Sequence, residues 1–273
     1  MTQTVLAEGK TKVILDNGHG EVLIRSKDDI TAGDGERHEL LTGKAACSTR
    51  TTCNVFALLM LNDIPTHYRG HVDDVTFRAR RVRMIQLELV VRRIATGSYL
   101  KRHPDVQADT LLDDLVFEIF EKDDANHDPL MEFDFQRETV RRYDAKLPLG
   151  EGLMSETPLA VTIYSGVSPT LLERLQEIAI RTFLVLEAAW ASVGGTLFDF
   201  KVECGYDAAT GQLLLADVID NDSWRLRFGQ RTMDKQLFRD GEASLPEIKL
   251  RYEEVADLSA ELTDSVYSAP EGT

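Results

Sequence analysis

Asp199, Lys201 and Glu203 alternate along LFDFKVECG, residues 197–205, and Asp217, Asp220, Asp222 and Arg225 crowd into ADVIDNDSWR, residues 216–225. Side chains on a strand point to its two faces in turn. Read as a strand, the first stretch puts Asp199, Lys201 and Glu203 on one face and Phe198, Phe200, Val202 and Cys204 on the other. The linking GYDAATGQ, with Gly205, Asp207 and Gly211, predicts a hairpin loop. That hairpin would bring Glu203 and Asp217 near each other with a lysine beside them. Carboxylates and a lysine on a rigid sheet suit Mg²⁺ and phosphate chemistry. A solvated face would carry the same alternation. Against that, Asp217 has Leu215 and Ile219 as its neighbours on the same strand face. A buried carboxylate there is costly unless a metal or a cation offsets it.

Three further stretches carry candidate groups. In EGKTK, Gly9 would let a backbone approach a phosphate, and Lys10 and Lys12 alternate on the strand that follows. It is not a GxxxxGK[ST] loop, and lysines on an edge strand would look the same. In VVRRIATGSYLKR, Arg92 falls at a strand end and Ser98 where a helix opens, a pairing that suits an anion. Ser98 as a plain helix cap fits equally. KDDANHDP places Lys122 at a strand end and Asp128 before a proline, in a segment that also reads as an ordinary turn. No GxSxG elbow or Cys/His spacing supports nucleophilic catalysis.

Composition narrows the class. The chain has 273 residues, 43% of them hydrophobic, and a formal net charge of −15. That suits one large or two small domains with a real core. The acidic balance argues against nucleic acid and anionic membrane surfaces as partners. Local clusters such as RARRVR, residues 78–83, still allow anionic small substrates. No apolar run nears the length of a membrane span, and MTQTVLAEGK lacks the apolar stretch of a secretory leader. Cys47, Cys53 and Cys204 show no zinc spacing. A reduced, cytoplasmic protein is expected.

The elements that must position these groups are legible in outline. EGKTKVIL, DNGHG and EVLIRS predict a β-hairpin, and residues 43–62 a helix with Phe56, Leu59 and Met60 at helical spacing. Cys47 and Cys53 lie on that helix as core residues. LVFEIFEK, residues 115–122, reads as a strand, and residues 130–168 as an irregular excursion. Ser168-Pro169 opens a long helix with Leu172, Leu175, Ala179, Phe183, Leu186 and Trp190 as its buried stripe, stopped by Gly194-Gly195. A last helix after Pro246 carries Leu250, Val255, Leu258 and Leu262. Strands mixed with helices predict an α+β fold.

Taken in order, EGKTK, ITAGDG, LTGKAA, VVRRIATGSYLKR, KDDANHDP, FDFKVECG, LLLADVIDNDSWR and MDKQLFRD resemble the SAICAR synthetase family, from residue 8 to residue 240. The resemblance implies two lobes, residues 1–88 and 89–273, each with a mainly antiparallel sheet and packed helices, and ATP between them. It implies an ATP- and Mg²⁺-dependent ligase of purine synthesis that joins L-aspartate to the carboxylate of 4-carboxy-5-aminoimidazole ribonucleotide. By the same resemblance Gly9, Lys10, Lys12, Lys122 and the backbone near Met84 hold ATP. Asp128, Glu203 and Asp217 serve the metal. Arg92, Ser98 and Arg225 take the ribonucleotide phosphate. Asp34 and Asp222 contact substrate, Lys235 and Arg239 lie near it, and Lys122, Asp199 and Lys201 serve catalysis. Another small-molecule phosphotransferase, or a silent ligand-binding paralogue, is the alternative. Assembly into a homo-oligomer stays open. Residues 131–167 look like an insertion relative to compact members, expected to fold over or beside the ATP site or to pack on a partner subunit.

Overall fold

The computed structural model describes residues 4–33, 36–241 and 243–263. The chain begins with strands β1 (Val5–Glu8), β2 (Lys12–Gly18), β3 (Glu21–Ser26), β4 (Asp29–Ala32) and β5 (Arg37–Leu40), then helix α1 (Lys44–Leu61). Strands β6 (Tyr68–Asp73), β7 (Thr76–Arg80) and β8 (Val82–Ile94) lead to the short helix α2 (Ser98–Arg102). Four strands follow, β9 (Leu111–Glu121), β10 (Leu130–Asp134), β11 (Thr139–Tyr143) and β12 (Leu153–Pro158), and then α3 (Pro169–Ser192). The chain continues through β13 (Thr196–Asp207), β14 (Leu213–Ala216), β15 (Trp224–Phe228), β16 (Arg231–Thr232), α4 (Gln236–Asp240) and α5 (Leu245–Ser259). The α+β class expected from the sequence is what forms. Among the described residues no helix is long and apolar enough to cross a membrane.

Contacts divide the chain into two compact units. The first takes the chain up to Ile85, then Leu184–Leu197 and the chain from Cys204 on; the second takes Gln86–Phe183 and Phe198–Glu203. The expected boundary at residue 88 lies near the first break, but residues 89–273 do not form one piece. The reason is apolar packing near the C-terminus. Phe238, Ile248, Tyr252 and Ala256 share a buried cluster with Ile30, Leu41 and Cys47. The C-terminal helices are therefore part of the core built by the N-terminal chain.

In the first unit the sheet order is β1-β2-β3-β7-β6, antiparallel throughout. The β2–β3 hairpin turns through Gly18, His19 and Gly20, all at positive φ, which glycine adopts without penalty. Helix α1 buries Val55, Phe56, Leu58 and Leu59 completely, whereas Met60 is half exposed and lies off the buried stripe. Phe56 packs edge-on to His67 at 5.3 Å and stacks on Tyr68 at 5.8 Å. Cys47 and Cys53 are buried, as expected of core residues. Helix α5 starts with a capping box between Ser244 and Glu247. Its buried stripe is Ile248, Tyr252, Val255 and Ser259; Leu250, expected in that stripe, is 59% exposed.

In the second unit β8, β9, β10, β11 and β12 form an antiparallel meander. Residues 130–168 are thus not irregular. They supply three successive strands. Their alternation was hidden because the outward positions carry charge: Arg141 pairs with Glu156 at 3.0 Å and with Glu132 at 3.5 Å, across both neighbouring strands. Of the apolar run LAVTIY, Leu159 and Tyr164 are buried while Val161 and Ile163 are each 75% exposed. Ser168 caps α3, its hydroxyl accepting from the Leu171 amide at 3.2 Å. Leu175, Ala179, Phe183, Leu186 and Trp190 are fully buried along it. Each large apolar side chain among them contributes roughly 1.5–3 kcal/mol by leaving water.

Candidate active site

On the charged face of β13 Lys201 is exposed, but the two acids are not solvated. Asp199 and Glu203 are only 3% and 9% exposed, while Phe198, Phe200, Val202 and Cys204 are buried on the opposite face. Acids buried in this way need cations, and the second unit supplies them. Lys122 Nζ pairs with Glu203 Oε1, and Lys201 Nζ lies 2.7 Å from Glu88 Oε2. Arg92 of β8 pairs with Asp199 through Nη1 and with Glu118 of β9 through Nε at 2.6 Å. Its Nη2 faces the Ser98 hydroxyl at 3.4 Å. Glu118 uses its other oxygen for Arg102. Arg92, Arg102, Glu118 and Asp199 are all nearly fully buried, and their formal charges cancel. Burial disfavours the Arg92 charge, but Asp199 and Glu118 outweigh it and hold its pKa above the ordinary arginine value. For Arg102 burial outweighs Glu118 and the pKa falls.

Asp128 sits just past the strand end. Its φ is +50 and that of His127 is +60, so the DANHDP turn is tightly wound. Asp128 Oδ1 accepts from the Asp123 amide at 2.8 Å. Burial raises the Asp128 pKa, an effect that a bound cation would reverse.

In the first unit, Lys12 of β2 pairs with Asp217 Oδ1. Asp217 does not share a strand face with Leu215 and Ile219, as the alternation suggested. Strand β14 ends at Ala216, and Asp217 takes a left-handed turn with φ +67. A side chain in that region costs roughly 1–2 kcal/mol and needs surroundings that enforce it. They are present: Leu215 N donates to Pro65 O and His67 N to Leu215 O, both at 2.9 Å, and the His67 ring Nε2 donates to the Asp217 carbonyl at 2.9 Å. Burial lowers the His67 pKa to about 4, so the ring is neutral and carries its proton on Nε2. Gly9 donates from its amide to the Lys12 carbonyl at 2.9 Å, and a Cβ on it would meet only that oxygen, at 3.9 Å. Lys10 is exposed. The Met84 backbone lies against Gly205, where an added Cβ would fall 3.2 Å from Met84 Cα and 3.0 Å from Arg83 O.

Asp222 anchors a second buried group in this unit. Lys44 Nζ lies 3.3 Å and Lys235 Nζ 3.4 Å from its Oδ2, and the Tyr252 hydroxyl donates to its Oδ1 at 2.5 Å. Burial would raise Asp222, but Lys44, Lys235 and Tyr252 hold it well below the usual carboxylate range. Asp220, buried beside that charge, is pushed up by burial and by Asp222. Burial would lower the Lys44 pKa, yet Asp222 and Asp220 raise it on balance. Arg225 is half-buried on β15, and Arg239 is exposed on α4 with Nη1 3.3 Å from Gln236 Oε1. Asp34 lies outside the described residues.

Lys12 with Asp217, Lys122 with Glu203, Arg92 with Ser98 and Asp199, and Asp222 with Lys235 are thus brought together. Sequence reasoning missed the groups that hold them: Lys44, His67, Glu118 and Tyr252. Glu118 could have been found, since it is a lone acid inside the apolar VFEIF. His67 and Tyr252 carry no local signal. Among the described residues no group of three or more His, Cys, Asp or Glu is placed to cage a metal. Mg²⁺ needs no such cage beside a nucleotide, because one or two carboxylates complete a shell of phosphate oxygens and water. Asp128 and Glu203 in the second unit, and Asp217 in the first, are carboxylates of the kind that demand calls for.

The model of the SAICAR synthetase family matches residues 5–257. The chain belongs to the SAICAR synthetase family. A phosphoribosylaminoimidazole-succinocarboxamide synthase of Roseiflexus castenholzii is 39% identical over 260 residues, covering 92% of this chain and 94% of that protein. One from Herpetosiphon aurantiacus is 37% identical, covering 94% of this chain and 97% of that protein. A solved SAICAR synthetase (Type-2) in complex with ADP is 27% identical, covers 97% of this chain and 99% of that chain, and superposes with a TM-score of 0.77. Both lysine–carboxylate pairs and the buried arginine beside a serine fall within the residues that the SAICAR synthetase model matches.

Proposed function

We propose that this protein is an ATP-dependent ligase that joins L-aspartate to the carboxylate of 4-carboxy-5-aminoimidazole ribonucleotide, giving SAICAR, ADP and phosphate in purine biosynthesis. The observation that carries this reading is 39% identity, over 92% of the chain, with a protein named for that reaction. The geometry supports it. A carboxylate is a poor electrophile. Transfer of the γ-phosphoryl group to one of its oxygens makes an acyl phosphate and releases ADP. The aspartate amine then attacks the carbonyl carbon, phosphate leaves, and the nitrogen loses a proton. Such chemistry rests on positioning and charge neutralisation.

Lys12 and Lys122 are the cations for nucleotide phosphates, with the Gly9 backbone open to close approach and the Met84 backbone on the adenine. Bound magnesium neutralises phosphate charge, and Asp128, Glu203 and Asp217 are the carboxylates that would hold it. Arg92 and Ser98 offer adjacent donors to the ribonucleotide phosphate, and Arg225 adds a further cation. Asp222, kept ionised by Lys44 and Lys235, accepts hydrogen bonds from substrate polar groups, with Arg239 near them. Asp199 orients Arg92, and Lys201 serves the same charged face.

The test is direct. The purified protein is mixed with ATP, Mg²⁺ and the carboxylated ribonucleotide, with and without aspartate. The amide product should appear only when aspartate is present, and ADP release over many turnovers should depend on aspartate as well. Sustained ADP turnover that ignores aspartate would point instead to a phosphotransferase. No ADP at all would leave a silent binding protein.

A further inference from the structure

The meander that the sequence left unassigned reaches the candidate site from behind. Glu121 ends β9, and Lys122 and Asp123 follow. The Asp123 amide donates to the Glu121 carbonyl at 3.1 Å, closing a three-residue turn centred on Lys122, and the side chains of Glu121 and Asp123 both meet one arginine. Lys122 itself faces Glu203. The arginine is Arg142 of β11. Its Nε lies 2.6 Å from Glu121 Oε2 and its Nη2 donates to Asp123 Oδ2 at 2.8 Å. The Tyr164 hydroxyl lies 3.0 Å from Glu121 Oε1 and 3.1 Å from the Gln86 carbonyl, which also accepts from the Lys122 amide at 3.3 Å. Arg142 is itself fixed, because its backbone pairs with Met131 of β10 and with Ser155 of β12.

We propose that Arg142 is a positioning residue for Lys122: its guanidinium ties together the two acids that flank the lysine, and so fixes the backbone from which Lys122 faces Glu203. A planar guanidinium suits this task, since one rigid group donates to Asp123 and stands as an ion pair against Glu121 at once; a lysine would reach one. Ion pairs that keep some contact with water contribute little to stability. Their effect here is on where a lysine points. The inference rests on the reading of Lys122 as a nucleotide-phosphate group.

The experiment is a double-mutant cycle on the full chain. Arg142→Met and Arg142→Lys are each made alone and with Lys122→Gln. The readouts are kcat/KM for ATP, KM for the ribonucleotide, metal-free ADP affinity by calorimetry, and the melting temperature. Arg142→Met should lower kcat/KM for ATP roughly ten- to a hundredfold, as misplacement of a reacting group does. It should weaken ADP binding and leave the ribonucleotide KM little changed, with Arg142→Lys in between. With Lys122→Gln already present, Arg142→Met should cost little more, because both changes remove the same interaction. Full additivity in the two backgrounds, or an equal rise in every KM, would reduce Arg142 to scaffold and overturn the proposal. Should Arg142→Met fail to fold, Arg142→Lys carries the same cycle. If Lys122→Gln alone keeps full ADP affinity and activity, the reading of Lys122 falls and the proposal with it. If Lys122→Gln is impaired and Arg142→Met is not, only the positioning role falls.

Discussion

His67 holds Asp217 by the backbone rather than by the carboxylate: the ring Nε2 donates to the Asp217 carbonyl at 2.9 Å, while the side chain of Asp217 goes to Lys12. The histidine is 2% exposed and packed among Phe56 and Phe77, so it cannot drift. Replacing it with phenylalanine preserves the packing and deletes the donor. His67→Phe should lower kcat roughly tenfold, the low end of the cost of losing an outer-shell partner, with a folded circular dichroism spectrum. His67→Gln, which keeps an N–H, should recover much of the loss. Equal activity in wild type and His67→Phe would show that the left-handed turn at Asp217 needs no such support.

Gly9 separates fold from function. A Cβ there meets nothing closer than 3.9 Å, and the residue is not at positive φ. Gly9→Ala should therefore leave the melting temperature essentially unchanged. ADP affinity should fall if a phosphate approaches the backbone at this point. Calorimetry with ADP decides; unchanged affinity would remove Gly9 from the nucleotide-binding groups.

Glu203→Ala should largely abolish turnover while the protein stays folded, because a lost carboxylate leaves phosphate charge uncompensated. Assays across a magnesium series are the check. Near-normal rates at low magnesium would show that Glu203 serves only as the partner of Lys122.

Arg225→Ala should act on one substrate. A charge-assisted bond to phosphate contributes about 1.5–3 kcal/mol. The ribonucleotide KM should thus rise roughly ten- to a hundredfold. The KM for ATP should move far less. Parallel rises in both would remove Arg225 from the ribonucleotide site.

Asp234 gives a pH signature. It is 1% exposed, and burial raises its pKa from 3.8 to about 6 despite amide donors from Leu226 and Gln236. With the folded value above the unfolded one, its stabilising contribution is complete below pH 3.8 and is lost as pH rises through 6. Between pH 8 and pH 5 the wild type should gain roughly 1.4 kcal/mol relative to Asp234→Asn. Urea unfolding of both proteins at the two pH values measures it. No relative change would mean that Asp234 titrates normally.

Much of the site was legible because local chemistry wrote it. The alternation in FDFKVE needs only the two-residue period of a strand, and Ser168-Pro169 announces a helix through its own capping geometry. EGKTK, KDDANHDP and ADVIDNDSWR bring the charged groups as short runs, so their types and spacing survive without a fold. What the sequence could not determine is which charges are buried and what answers them. Asp199 and Glu203 look like any outward row until Arg92 and Lys122 are seen beside them, and those partners lie about a hundred residues away. Residues 130–168 looked structureless because Arg141 and Arg142 stand at strand positions where apolar residues would have marked the period. Only pairing with Glu121, Asp123, Glu132 and Glu156 makes those arginines strand residues. The turn at Asp217 and the inclusion of α5 in the N-terminal core were likewise decided by packing, through His67 and Tyr252. Local periodicity encodes elements and chemistry; burial and the pairing of distant charges exist only once the chain has closed on itself.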